Sequence, residues 1–163
     1  FMTIFKDGNQ GFSYIEIIIV ICLTAIILTV LLPDFGKTIG RYNLNTSARE
    51  LVSDIRSIEQ DAIKHEAEFK IQFIGADKYV LIYFLDNKYF TKKMVKLTPT
   101  VKYNANLTSN NINNNYNSLY FQANGRPSGG IGGHICLQDR GTGKCLYIII
   151  DTIGRVRIGE APP

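Results

Sequence analysis

Two features of the chain could do chemistry. Near the C terminus, Gly154-Arg155-Val156-Arg157 alternates charge with an apolar residue, and between Phe12 and Leu32 the only charge is Glu16. In an extended strand Arg155 and Arg157 share one face while Val156 takes the other, so two guanidiniums could grip phosphate oxygens side by side. A turn glycine followed by solvated arginines accounts for the same four residues. Glu16 poses a different problem. A carboxylate inside an apolar span costs about 2.5–3.5 kcal/mol near the centre, less close to an end, and needs a partner or a way back to water.

Other candidate groups lie between these two. Cys136 and Cys145 flank a turn-like segment; in an oxidising compartment they could close a ten-residue loop and stabilise by roughly 2–3 kcal/mol, and in a reducing one they would be two thiols. Cys22 is expected to be a small apolar filler. Gly141-Thr142-Gly143-Lys144 has a phosphate-loop look, but Gln138 stands where the first glycine belongs, Cys145 replaces Ser or Thr, and a strand rather than a helix follows. His134 beside Cys136 is too little for a metal centre, since structural zinc takes four ligands. No nucleophile, base and orienting group stand at recognisable spacing, so neither an enzyme nor a cofactor is expected.

The elements that must position these residues follow from periodicity. Phe12–Leu32 is long enough at about 1.5 Å per residue to cross a hydrocarbon core as a single helix, with Pro33 directly after it. Pro33, Gly36 and Gly40 then weaken helix, predicting a bend or a loosened joint. From Leu44 the apolar positions Leu44, Ala48, Leu51, Ile55, Ile58 and Ala62 fall on one helical face, and Arg49, Glu50, Asp54, Arg56, Glu59, Asp61 and Lys64 form the wet side. The period then switches to two. Phe69–Phe73 and Tyr79–Phe84 predict a hairpin; Tyr89–Leu97, Thr100–Tyr103, Ser118–Gln122, Ile131–Leu137, Cys145–Ile150 and Arg155–Ile158 predict further strands. Lys88, Lys92, Lys93, Lys96 and Lys102 read as a solvated edge, and the asparagine-rich stretch 104–117 as a surface loop. The expected fold is α+β: a long N-terminal helix, half membrane-spanning and half amphipathic, packed on an antiparallel sheet. Its parts are a leader over 1–11, a transmembrane helix over 12–32, an amphipathic continuation over 33–66 and a β-rich part over 67–163.

Gly11-Phe12-Ser13-Tyr14-Ile15-Glu16 resembles the N-terminal signal of type IV prepilins and pseudopilins, in which a short polar leader ends in Gly before Phe and an acidic residue follows at the fifth mature position. Ser13 and Tyr14 stand where Thr and Leu are usual. The later chain is similar to the FimT/GspH family of minor pilins and pseudopilins, through Gly125-Arg126-Pro127, a hairpin and the terminal Gly-Arg-Val-Arg strand. The resemblance implies cleavage between Gly11 and Phe12 by a prepilin peptidase, N-methylation of Phe12, and filament assembly using Glu16 with other pilins or pseudopilins as partners. It also implies storage in the cytoplasmic membrane with the C-terminal domain outside the cytoplasm. In FimT-like members the Gly-Arg-x-Arg element is associated with DNA binding in natural transformation, which carries to Arg155 and Arg157, with Lys144, Arg140 and Arg126 as basic neighbours. A GspH-like pseudopilin of a type II secretion system is the alternative that the same residues leave open.

Overall fold

The computed structural model describes residues 13–86, 88–103, 118–128 and 133–162, and the side chains of all of these except 30–34. Gly11 and Phe12, the expected cleavage and methylation sites, lie outside the described residues, as does the asparagine-rich stretch 104–117. Helix α1 covers Tyr14–His65, and its backbone stays helical through Pro33, Gly36 and Gly40. The bend or joint expected there is not a break in the helix. The chain divides into two compact units, Phe1–Gly36 and Lys37–Pro163.

In the first unit the Ser13 carbonyl accepts the opening bonds of α1 from the N–H groups of Glu16 and Ile17, at 3.0 and 3.2 Å. Ile15, Ile17, Ile19, Ile21, Leu23, Ile26 and Leu28 are all about half exposed or more, so the apolar surface runs round the helix instead of along one stripe. The two threonine hydroxyls in this run bond back to helix carbonyls, Thr24 Oγ1 to Val20 O at 2.9 Å and Thr29 Oγ1 to Ile26 O at 2.7 Å. They therefore need no water. Among the described residues no helix is long and apolar enough to cross a membrane; the expected span over 12–32 also takes in Phe12 and the side chains of 30–32, which lie outside them.

The second unit is built on the amphipathic part of α1. Leu44, Ala48, Leu51, Ile55, Ile58 and Ala62, the face given by the sequence spacing, are all buried. Eight strands follow: β1 (Phe69–Ile74), β2 (Lys78–Leu85), β3 (Lys88–Lys96), β4 (Val101–Tyr103), β5 (Ser118–Phe121), β6 (Gly133–Asp139), β7 (Cys145–Ile150) and β8 (Val156–Gly159). They form two four-stranded antiparallel sheets, ordered β3-β2-β1-β5 and β4-β6-β7-β8, where the sequence predicted one. Strand-like alternation says which residues face inward but not which strands pair, and here β4 and β5 cross between sheets. Phe69, Ile71, Phe73 and Leu81 from the first sheet and Ile135, Leu137, Ile148 and Ile150 from the second meet the helix in one core. Each such side chain contributes about 1.5–3 kcal/mol by leaving water.

The lysine-rich strand β3 is an edge strand, but two of its lysines are not simply solvated. Lys93 Nζ lies 2.9 Å from Asp54 Oδ1, and Lys92 pairs with Asp61. A register shift opposite Leu81/Ile82 gives β3 the extra residue that turns Lys92 toward α1. Asp54 is buried and also accepts from Tyr79 Oη at 2.7 Å, so one carboxylate ties the helix to β2 and β3.

Candidate nucleic-acid interface

Strand β8 is an edge of the second sheet, pairing only with β7, in the register Ile150↔Val156 and Ile149↔Arg157. Val156 is buried in the core while Arg155 and Arg157 on either side are exposed. Arg155 precedes the strand, and its Nε lies 3.3 Å from Asp151 Oδ2 across the β7–β8 turn. Arg157 instead lines a groove beside α1.

Two glycines allow the loops at this end to close on the helix. Gly154 has φ +92° and Gly125 φ +75°, a region side chains rarely adopt. A Cβ on Gly125 would lie 2.6 Å from Ile63 Cδ1, and one on Gly154 would lie 3.0 Å from Glu59 Oε1 and 3.1 Å from the Gly125 carbonyl. The loop bearing Arg126 and the turn bearing Arg155 are thus pressed together against Glu59 and Ile63. Burial raises the Glu59 pKa above the ordinary carboxylate value, and nearby Arg56 partly offsets the rise.

The other two expected cations sit elsewhere. Arg140 and Lys144 belong to the β6–β7 turn, at the opposite end of β7 from Arg155, about 17 Å away along the strand. That turn is organised by buried Asp139, which accepts from Thr142 N–H at 2.9 Å and Thr142 Oγ1 at 2.5 Å. The Thr142 hydroxyl, helped by backbone N–H groups and opposed by burial, holds the Asp139 carboxyl below the usual aspartate value. Gln138 Nε2 donates to Gly143 O at 3.1 Å, so the Gly-Thr-Gly-Lys run is a hairpin turn. The five basic residues therefore do not form one patch: Arg126 and Arg155 share an end, Arg157 borders a groove beside the helix, and Arg140 and Lys144 lie apart.

Cys136 and Cys145 are not joined in a disulfide. The hairpin register sets Cys136 opposite Tyr147 and Cys145 opposite Gln138. The two cysteines therefore sit at diagonal positions on neighbouring strands. Among the described residues no three His, Cys, Asp or Glu side chains gather where they could hold a metal ion.

Sequence periodicity placed Arg49 and Arg56 on the wet side of the helix without giving them a role. They line a groove of about 600 Å³ between α1 and β8 with Arg157, Ser53, Ser57 and Gln60. Val52, Val156 and Ile158 supply its apolar part. Arg56 Nη2 reaches the Val156 carbonyl at 3.4 Å, closing part of the sheet edge. Among the described residues, no ion pair joins Arg49, Arg56 or Arg157 to a carboxylate.

No protein-family model matches the chain, and no curated protein matches it in sequence. Solved structures do match it. A crystal structure of the type IV minor pilin FimU from Pseudomonas aeruginosa superposes with a TM-score of 0.61 at 16% identity, covering 76% of this chain and 94% of that one. A second crystal form of FimU gives a TM-score of 0.58 at 16% identity over 74% and 97% of the two chains. The minor pseudopilin EpsH of the type 2 secretion system of Vibrio cholerae gives 0.58 at 10% identity over 72% and 96%. The helix laid on antiparallel sheets is an α+β fold of the pilin and pseudopilin type.

Proposed function

We propose that the chain is a minor pilin of FimT/GspH type, cleaved between Gly11 and Phe12, methylated on Phe12, held in the cytoplasmic membrane by its N-terminal helix and then built into a filament. The observation that carries this reading is the apolar surface running all round α1 from Tyr14 to Leu28 in a chain whose globular unit has a pilin-like fold. A helix apolar on every side needs lipid or other helices around it. Glu16, exposed in this run, then finds its partner in the Phe12 amine of a neighbouring subunit. The globular unit, outside the cytoplasm, offers basic side chains at its β8 edge to DNA phosphates.

The test is co-expression with a prepilin peptidase, followed by intact-mass measurement of the membrane-extracted chain. The expected product begins at Phe12 and carries one extra methyl group. An unprocessed chain, with the peptidase active on a control prepilin, would remove the pilin reading. The likeness to EpsH supports a second reading, a pseudopilin of a type II secretion system, whose partners are other pseudopilins and secreted proteins. The two readings part on DNA: only the first expects the chain to bind it.

A further inference from the structure

We infer that Arg49 and Arg56 of α1, with Arg157 of β8, form the phosphate-binding groove of this protein, and that Arg155 lies outside it. The inference rests on the DNA-binding reading and assigns that reading its residues. Arg155 Nε already lies 3.3 Å from Asp151 Oδ2, so a phosphate bound there would sit beside a carboxylate. Arg157 lines the groove shared with the two helix arginines. There, none of the three guanidiniums is paired with a carboxylate among the described residues. Ser53 and Gln60 add neutral hydrogen-bonding groups to the lining, and Ser57 at its edge accepts from Lys92 at 3.4 Å.

The geometry suits a polyanion better than a single small ion. Arg49 and Arg56 are two helical turns apart, about 10 Å along the axis, and that length spans about three phosphates of a B-form strand at about 3.4 Å each. Ser53 and Gln60 continue the same stripe, one turn beyond each arginine. The groove is open along one side of the helix, and its acidic neighbour Glu59 is turned toward Gly154 and does not line it. Guanidinium forks bind phosphate oxygens through paired N–H groups without distinguishing bases, so the expected ligand is the backbone of duplex DNA whatever its sequence.

The experiment measures affinity of the full chain, in neutral detergent, for a fluorescent DNA duplex over a range of salt concentrations. Each lost phosphate contact should flatten the slope of log K against log salt by about 0.9. Arg49→Gln/Arg56→Gln should therefore reduce the slope by about 2 and Arg49→Gln alone by about 1, with Arg155→Gln leaving it nearly unchanged. Arg49 touches no other described side chain by hydrogen bond or ion pair, so the single variant stays folded even if loss of the Arg56 bond to Val156 disturbs β8. Wild-type binding that is lost in Arg155→Gln and kept in the double variant would overturn this assignment while leaving the DNA reading standing. Absence of salt-sensitive binding by the wild-type chain would overturn both.

Discussion

The amphipathic part of α1 has two polar flanks, one residue step or about 100° apart round the helix, and they are treated in opposite ways. On the flank toward β3, Asp54 and Asp61 are matched by Lys93 and Lys92, Glu50 lies 3.6 Å from Lys93, and the Tyr79 hydroxyl is spent on Asp54. On the flank toward β8, Arg49, Arg56 and Arg157 line one groove and, among the described residues, pair with no carboxylate. Charges that neutralise one another hold elements together. Like charges gathered at an open groove repel one another, and apart from the Arg56 bond to the Val156 carbonyl they tie no elements together, so they are explained by what they bind.

The largest stability effect belongs on the β3 flank. Asp54→Ala leaves the buried Tyr79 hydroxyl without its acceptor and Lys93 without its nearest carboxylate, so urea unfolding of the unit 37–163 should show a loss of about 1–3 kcal/mol. A loss under about 0.5 kcal/mol would mean that the flank is not structural.

The same flank should respond to alkali. Burial first, then the Asp54 hydrogen bond and charge, push the Tyr79 phenol far above its ordinary value of 10.0; burial, then the charge of Asp77, does the same for Tyr103. The unfolded chain ionises these phenols before the folded chain does, so stability is full below about pH 10 and declines as pH rises through that value. Tyr79→Phe should make the decline shallower in pH-dependent urea unfolding, and an unchanged slope would contradict the burial described here.

A smaller effect is expected at acid pH from the β6–β7 turn. Asp139 is held below the ordinary 3.8 chiefly by the Thr142 hydroxyl, so its contribution is present above that value and is lost as pH falls through the lower folded value. Asp139→Asn should flatten the acid limb of the stability curve. The smallest change should come from the β8 flank. Arg49→Gln should alter stability by less than about 0.5 kcal/mol, as for surface positions without partners.

Much of the fold was legible in local spacing. The four-three-four alternation from Leu44 to Ala62 names the residues that the structure buries, because helical periodicity reports a face directly. All eight strand candidates correspond to strands, with edges shifted by at most two residues. The split into two sheets was not legible, because pairing depends on contacts between distant segments. The same limit hid the groove. Arg49 and Arg56 could be read as outward-facing, but the carbonyl that receives Arg56 is 100 residues away. The lysines of β3 read as solvated for a similar reason: a bulge turns Lys92 toward Asp61, and no local pattern in β3 names its partner. Conversely, Gly154-Arg155-Val156-Arg157 drew attention as a unit, yet the fold separates its two arginines into one paired and one open.

The contrast between flanks is tested most directly by removing one positive charge from each and comparing DNA affinity. Lys93→Gln and Arg157→Gln change net charge equally, so a generally basic surface would respond alike to both. The full chain in neutral detergent, titrated with duplex DNA at low salt, should lose several-fold in affinity with Arg157→Gln and keep near wild-type affinity with Lys93→Gln. Equal losses in the two variants, or a larger loss with Lys93→Gln, would contradict the assignment of binding to the β8 flank.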